Sequence, residues 1–422
     1  MQNSIIKLRV NCGELSKNLA KVTRIINAKN AMPILGNVIL QKGQKDNEYY
    51  LIASDSEHWI RQRITMDTIN DGLTQVALCR VMNLQKFISD IAADQPIILE
   101  IDMEQMRLRV SYVINRRPVE GENADQMDGS CTLPLAEAME YPMPPAIAEG
   151  ENYTRCSVDG DWFLSAVRAA GVCVGNDDIR VQMSCVAMDI DIEGLTIVGS
   201  DGHKLFKRRY DVGAGAGFLT GKAQMLLFHR KIFSTLDQAM RGAVSVNIEG
   251  NGNHVRLTAT VMRSGESKEE ALKRQCDVEI IATMPEAKYP NYESVIPKNN
   301  DKKVTVCVRD LLQALKRVSL FGSESTNLIE LSYIGGCLKL TAQDLDFATD
   351  AQESVAIVGD CNCPDGFKIG LKSSSLVSLL PSVNTENVVF LFSDPSRAVL
   401  LRDEDIQSTQ VILIMPMLLE GA

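Results

Sequence analysis

Apolar positions along this chain recur at two different periods. Leu15, Leu19, Val22 and Ile26 fall on one face of a helix with about 3.6 residues per turn, and the spacing returns in Phe163, Val167 and Ala170. It returns again in Leu311, Leu312, Leu315 and Val318. Between such stretches the period drops to two. Val186, Met188, Ile190 and Ile192 alternate with Ala187, Asp189, Asp191 and Glu193, as in a strand with one buried face. These patterns predict helices over residues 13–26, 160–172 and 309–321. Each leads through alternating strands to an acidic turn: Ile52-Ala53-Ser54-Asp55, Val198-Gly199-Ser200-Asp201 and Thr341-Ala342-Gln343-Asp344. The three aspartates lie 146 and 143 residues apart, so one unit is written three times.

A second helix follows each acidic turn, over residues 80–93, 229–240 and 372–380. Strand pairs come next, at 97–101 with 106–110, 244–248 with 254–259, and 388–392 with 397–401. Each repeat is thus two halves of helix plus antiparallel strands, which predicts an α+β fold of six like units. Proline-bearing exits, Glu140-Tyr141-Pro142 and Lys288-Tyr289-Pro290, place domains at 1–146, 147–298 and 299–422. Residues 262–275 are charged and lack alternation, which reads as an inserted loop or short helix. Residues 213–217 read as a flexible hairpin tip.

Composition narrows the class. A chain of 422 residues, 45% hydrophobic and 23% charged, is globular rather than disordered. The opening Met1-Gln2-Asn3-Ser4-Ile5 has no basic segment leading an apolar one, and no apolar run nears the roughly 18 residues of a membrane helix. A cytoplasmic protein without a membrane partner is expected. Eleven cysteines without a C-x-x-C pair fit thiols in a reducing compartment. Cys361-Asn362-Cys363 has no histidine nearby, and the four histidines are too far apart for a zinc pair, so neither metal nor cofactor is expected.

The net charge of −10 argues against a generic nucleic-acid coat, yet Lys and Arg outnumber Asp and Glu about two to one across the six helices. Any one of these helices alone reads as an ordinary solvated face. The excess summed across all six on an acidic body is the footprint of phosphate-backbone binding without base readout. Candidate contacts are Lys17, Lys21, Arg24, Lys29, Arg80, Lys86, Arg168, Arg230, Lys231, Arg241, Lys316, Arg317 and Lys372. No aromatic residues interleave with them, which favours a duplex over a stacked single strand.

Catalytic readings find little support. Ser200-Asp201-Gly202-His203 contains the residue types of a triad, but neighbours on one turn do not converge as a triad must, and Asp-Gly is first a turn signal. Residues 215–223 miss a phosphate-binding loop, with Ala216 at its first glycine and Ala223 at its Ser/Thr. No enzymatic activity is expected.

Four segments, in order, then carry a family resemblance: Met32-Pro33-Ile34-Leu35-Gly36-Asn37, Ser200-Asp201-Gly202-His203-Lys204-Leu205, the exit Tyr289-Pro290-Asn291-Tyr292-Glu293-Ser294-Val295-Ile296-Pro297, and Met415-Pro416-Met417-Leu418-Leu419. Together they resemble the bacterial DNA polymerase III beta subunit, the replicative sliding clamp, over essentially the full length. The resemblance implies a head-to-tail homodimer, a ring around duplex DNA that gives the replicative polymerase its processivity. It also implies a groove for short linear peptides of the polymerase, the clamp loader, repair polymerases and mismatch-repair proteins. By position that groove would use Met183, Ser200, Gly202, His203, Leu205, Pro290, Val295, Ser375, Val399, Leu413, Met415, Pro416 and Met417. Leu133, Leu320 and Phe321 would meet across the dimer interface. The chain departs from the pattern at Leu418, where the family has a basic residue, at Ser375, where some relatives have an aromatic, and in running on through Glu420-Gly421-Ala422. The alternative is a clamp-like interaction scaffold that does not encircle DNA.

Overall fold

The helical stripes form where the periodicity puts them, with ends reset by local hydrogen bonds. In the computed structural model, which describes residues 5–27, 30, 32–70, 72–112, 129–177, 179–213, 217–263, 265–274 and 276–419, the first helix is Cys12–Val22. It begins where Asn11 Oδ1 accepts the Glu14 N–H, and it buries Cys12, Leu15, Leu19 and Val22. A 3-10 turn, Thr23–Ile25, continues it. The tighter winding shifts the stripe, so Ile25 is buried where the longer period predicts Ile26. Gly160–Cys173 buries Phe163, Val167 and Ala170. Val308–Val318 buries Leu311, Ala314, Leu315 and Val318, then winds into the 3-10 turn Ser319–Phe321.

The second helices are shorter than predicted. The 80–93 stretch gives only Val81–Ser89, and beyond it the Ala93 and Gln95 carbonyls accept the Gly13 and Cys12 N–H groups at 2.9 Å. Those donors open the first helix and lack intrahelical partners. Phe233–Ala239 and Ser373–Leu379 are the counterparts, flanked by the 3-10 turns Arg230–Ile232 and Leu380–Ser382.

Contacts divide the chain into two compact units: Met1–Leu164 with Lys231–Met284, and Ser165–Arg230 with Pro285–Ala422. In the first, one antiparallel sheet runs Asp67–Asn70, Ile5–Asn11, Pro96–Asp102, Arg107–Tyr112, Gly129–Ala136, Gln75–Leu78 and Val38–Lys42. It goes on through Glu48–Ser54, His58–Thr65, Val278–Thr283, His254–Val261, Ala243–Gly250 and Thr154–Asp159. The link between these halves is the pairing of His58–Thr65 with Val278–Thr283, Trp59 opposite Ile281.

The second unit repeats that link. Its larger sheet runs Gln224–His229, Cys185–Ile190, Gly194–Ser200, Lys204–Asp211, Val411–Ile414, Val399–Asp403, Asn387–Phe392 and Lys302–Cys307, with Leu205 opposite Leu413. A smaller sheet holds Thr349–Ala356, Cys337–Asp344, Leu328–Ile334 and Lys368–Lys372 in that order. Close packing of helix on sheet fixes Gly199, because a Cβ there would come within 2.1 Å of the Ala170 carbonyl oxygen.

The charged 262–275 segment contains a short helix, Lys268–Leu272, with a reciprocal cap between Ser267 and Glu270. Arg274 ties it down, bonding Glu266, Asp277 and the Val261 carbonyl. Of the 213–217 tip, residues 214–216 lie outside the described residues, as do Lys29 and residues 420–422.

Candidate functional site

The acidic turn of the second repeat is held by its own side chains. Asp201 Oδ1 accepts the N–H groups of His203 (2.8 Å) and Lys204 (2.9 Å). Ser200 Oγ accepts from the Gly202 N–H and donates to the Lys204 carbonyl. Gly202 sits at φ +89°, a conformation that favours a residue without a Cβ. The turn sends Lys204–Asp211 back antiparallel, placing Leu205 beside Leu413.

Around that pair lies a buried cluster of Cys185, Ala187, Val198, Leu205, Leu227, Tyr289, Tyr292, Ala398, Leu400, Val411 and Leu413. Ala187 was expected on the polar face of its strand. The second layer formed by Tyr289 and Tyr292 covers that face, so both faces of Cys185–Ile190 are buried. Tyr292 donates to Asp189 Oδ2 at 2.8 Å, and Lys207 pairs with Glu293 on the same 3-10 turn. Burial pushes the Cys185 thiol up to about 12, so it stays protonated and inert at neutral pH.

Next to the cluster opens a cavity of about 550 Å³. Eight of the residues predicted for the groove line it: Met183, Ser200, Gly202, Leu205, Pro290, Val295, Leu413 and Met415. The other five lie elsewhere. His203 is exposed on the turn, and its carbonyl accepts the Met415 N–H at 2.8 Å. Val399 is wholly buried in its strand, and Ser375 lies on the Ser373–Leu379 helix. Pro416 and Met417 follow Met415, the Met417 N–H donating to the Gly370 carbonyl at 2.8 Å.

The cavity also takes Lys204, Tyr289, Asn291, Tyr292, Pro297, Ser396, Arg397 and Ala398, which sequence reasoning did not name. Five of these stand inside motifs already quoted and were within reach of a residue-by-residue reading. Ser396, Arg397 and Ala398 had no such signal. Arg397 and Ala398 come from the predicted 397–401 strand starting late, at Val399, because Asp394 Oδ1 takes the N–H and Oγ–H of the preceding Ser396 and holds a turn there. The lining is apolar with two cations, Lys204 and Arg397, and no carboxylate. It suits capture of an apolar segment.

The candidate phosphate contacts differ in exposure and in the partners that hold them. Lys17, Arg24, Arg80, Lys86, Arg168, Lys316 and Lys372 are exposed on helices or helix ends. Lys21 is half-buried, and burial lowers its pKa despite Asp277 nearby. Arg317 is held by two bonds to Glu353, and Arg241 by Asp237 at 3.3 Å. Arg230 donates to the Gly175 carbonyl at 2.7 Å, and Lys231 stands 3.9 Å from Glu57.

Of the residues expected at a dimer contact, Leu320 (79% exposed) and Phe321 (46%) are open to solvent, whereas Leu133 (8%) is buried within its own sheet. Leu345 and Phe347, on the third acidic turn, are also exposed. No described helix is long and apolar enough to cross a membrane.

Comparison with known proteins agrees with this architecture. Residues 293–418 match the family described as "DNA polymerase III beta subunit, C-terminal domain". The beta sliding clamp of Pseudomonas aeruginosa is 22% identical over 96% of this chain and 97% of its own. That of Escherichia coli K12 is 22% identical over 98% of this chain and all of its own. A crystal structure of the Pseudomonas aeruginosa clamp bound to griselimycin superposes with a TM-score of 0.79 at 20% identity, covering 98% of this chain and 100% of that one. The Thermotoga maritima beta subunit gives 0.76 at 18% identity with the same coverage. The chain therefore has the sliding-clamp fold.

Proposed function

We propose that this protein is a DNA sliding clamp: a homodimeric ring that encircles duplex DNA, supports a processive polymerase, and docks partners through the cavity beside Leu205. In this reading the chain comprises three domains, 1–146, 147–298 and 299–422, and acts by topology and binding rather than by catalysis. The observation that carries it is an unfinished series. His58–Thr65 takes Val278–Thr283 as its neighbour, and Lys204–Asp211 takes Val411–Ile414. The third strand of the series, Thr349–Ala356, ends its sheet with no strand on its outer side among the described residues.

An open edge flanked by exposed Leu320, Phe321, Leu345 and Phe347 is a liability unless a partner covers it. Residues 129–134 offer the complement, since along them Gly129–Ala136 pairs, among the described residues, only with Arg107–Tyr112. Joining Thr349–Ala356 of one copy to residues 129–134 of another is a heterologous contact. Two such contacts close a ring. The exposed cations on the helices then face the phosphates, and without base contacts the duplex can slide.

The decisive test is topological. Loaded on nicked circular DNA, the protein should resist high salt and be lost once the circle is linearised. Equal loss from circle and linear DNA would leave the scaffold that does not encircle DNA. The segments that dock are those of the replicative polymerase, the clamp loader, repair polymerases and mismatch-repair proteins. Removing residues 415–422 should abolish capture of the polymerase peptide and leave the dimer whole. Dissociation to monomers would mean the site is elsewhere.

A further inference from the structure

Gly370 lies on the outer edge of the smaller sheet of the second unit and is not among the residues that line the cavity. Its carbonyl accepts the Met417 N–H at 2.8 Å, forming a bridge between Lys368–Lys372 and the C-terminal segment. Two residues earlier, the Met415 N–H is held by the His203 carbonyl at 2.8 Å, and Pro416 between them has no N–H to give. The segment is thus pinned at two points, one on the turn that frames the cavity and one on the smaller sheet. Met415 lines the cavity between them.

The second pin tolerates no side chain. A Cβ on Gly370 would stand 2.6 Å from the Met417 carbonyl oxygen, 2.9 Å from Leu419 Cδ2 and 3.0 Å from Leu328 Cδ1. The first of these is backbone, so a rotamer change cannot relieve it; the segment itself must lift. Gly370 has no positive φ, so the glycine is required by the approach of the tail and not by its own conformation.

We propose that Gly370 is a positioning residue for the peptide groove: it seats the C-terminal segment and thereby fixes Met415 as the groove's wall. This rests on the groove reading above. A methyl group at 370 lifts Met417, loosens Met415 and raises the disorder the ligand must overcome on binding, without touching the ligand.

The test uses the full-length dimer and a fluorescent peptide copied from the clamp-binding segment of the replicative polymerase. Gly370→Ala should weaken the peptide about tenfold. Hydrogen exchange at the Met417 amide should rise while the ladder between Leu328–Ile334 and Lys368–Lys372 keeps its protection. Met417→Pro removes the same bridge from the other side and leaves that sheet's sequence intact, so it should weaken the peptide to a like extent. Gly370→Ala combined with Met417→Pro should be little weaker than either alone. Full additivity, or unchanged affinity in Met417→Pro, would overturn the role of Gly370. Failure of the unaltered protein to bind the peptide would overturn the groove reading itself, and with it this inference.

Discussion

Two turns in this chain are built alike and end differently. In the first unit, Ser54 Oγ accepts the Ser56 N–H, and Asp55 Oδ1 accepts those of Glu57 and His58. In the second, Ser200 and Asp201 do the same for Gly202, His203 and Lys204. Ser56 and Gly202 share a positive φ, 82° and 89°. The incoming strand is fixed alike too: Thr283 N–H to the Glu57 carbonyl in one, Met415 N–H to the His203 carbonyl in the other. Two residues later they part. Trp59 (8% exposed) reaches across and donates its indole N–H to the Pro142 carbonyl at 2.8 Å. Leu205 (2%) is too short for that, and Pro290, which follows Tyr289 as Pro142 follows Tyr141, lines an open cavity instead. One architecture thus carries a closed joint at Trp59 and an open cavity at Leu205.

Exchanging those side chains should break the comparison most sharply. Leu205→Trp should plug the cavity, so that polymerase-peptide affinity falls at least about a thousandfold, at some cost in melting temperature from overpacking. Retained affinity would mean the peptide uses another surface. The reciprocal Trp59→Leu should cost the first unit about 2–4 kcal/mol in chemical denaturation, from lost packing and a lost hydrogen bond. A change under about 1 kcal/mol would show that the indole does not hold the joint.

Acid distinguishes the turns next. Burial raises the Asp55 pKa, but the hydrogen bond and charge of His58 and the turn's backbone N–H groups outweigh it and hold the carboxyl below its ordinary value. A depressed carboxylate stabilises the fold above its unfolded pKa and loses that contribution as pH falls through the folded value. Denaturation midpoints should therefore drop as pH falls below about 4, and Asp55→Asn should flatten that dependence. A mutant curve parallel to the parent's would remove Asp55 as its source. The smallest effect concerns the positive φ. Ser56→Gly should stabilise by about 0.5–1 kcal/mol and Gly202→Ser should cost about the same, provided the two turns are strained alike. Opposite signs in either measurement would show that the hydroxyl's contacts outweigh the backbone.

The third turn extends the lesson. Asp344 Oδ1 accepts the N–H groups of Asp346 and Phe347, and Ala348 takes a positive φ of 52°. Among the described residues no strand arrives here, and Leu345 and Phe347 stay exposed. An open cavity, a sealed joint and an open edge thus follow turns that share the same aspartate hydrogen bonds.

The helices, the strands and the three turns were legible in the sequence because each depends on neighbours a few residues away. A stripe at helical spacing buries itself whatever it packs against, and an aspartate before a glycine caps its own turn. Eight cavity-lining residues were likewise within reach, since their motifs are contiguous. Tertiary structure decided the rest. Ala187 became a buried residue only because Tyr289 and Tyr292, some hundred residues away, cover its strand. Arg397 and Ala398 reached the cavity because a turn delayed their strand, and Gly370 has no room for a Cβ because the tail crosses it. Whether a cation such as Lys17 is free or, like Arg317, held by Glu353 was also decided there. Local hydrogen bonds and periodicity act over a turn or a strand, so sequence carries them. Which surfaces meet, and how much volume is left between them, depends on residues far apart in the chain.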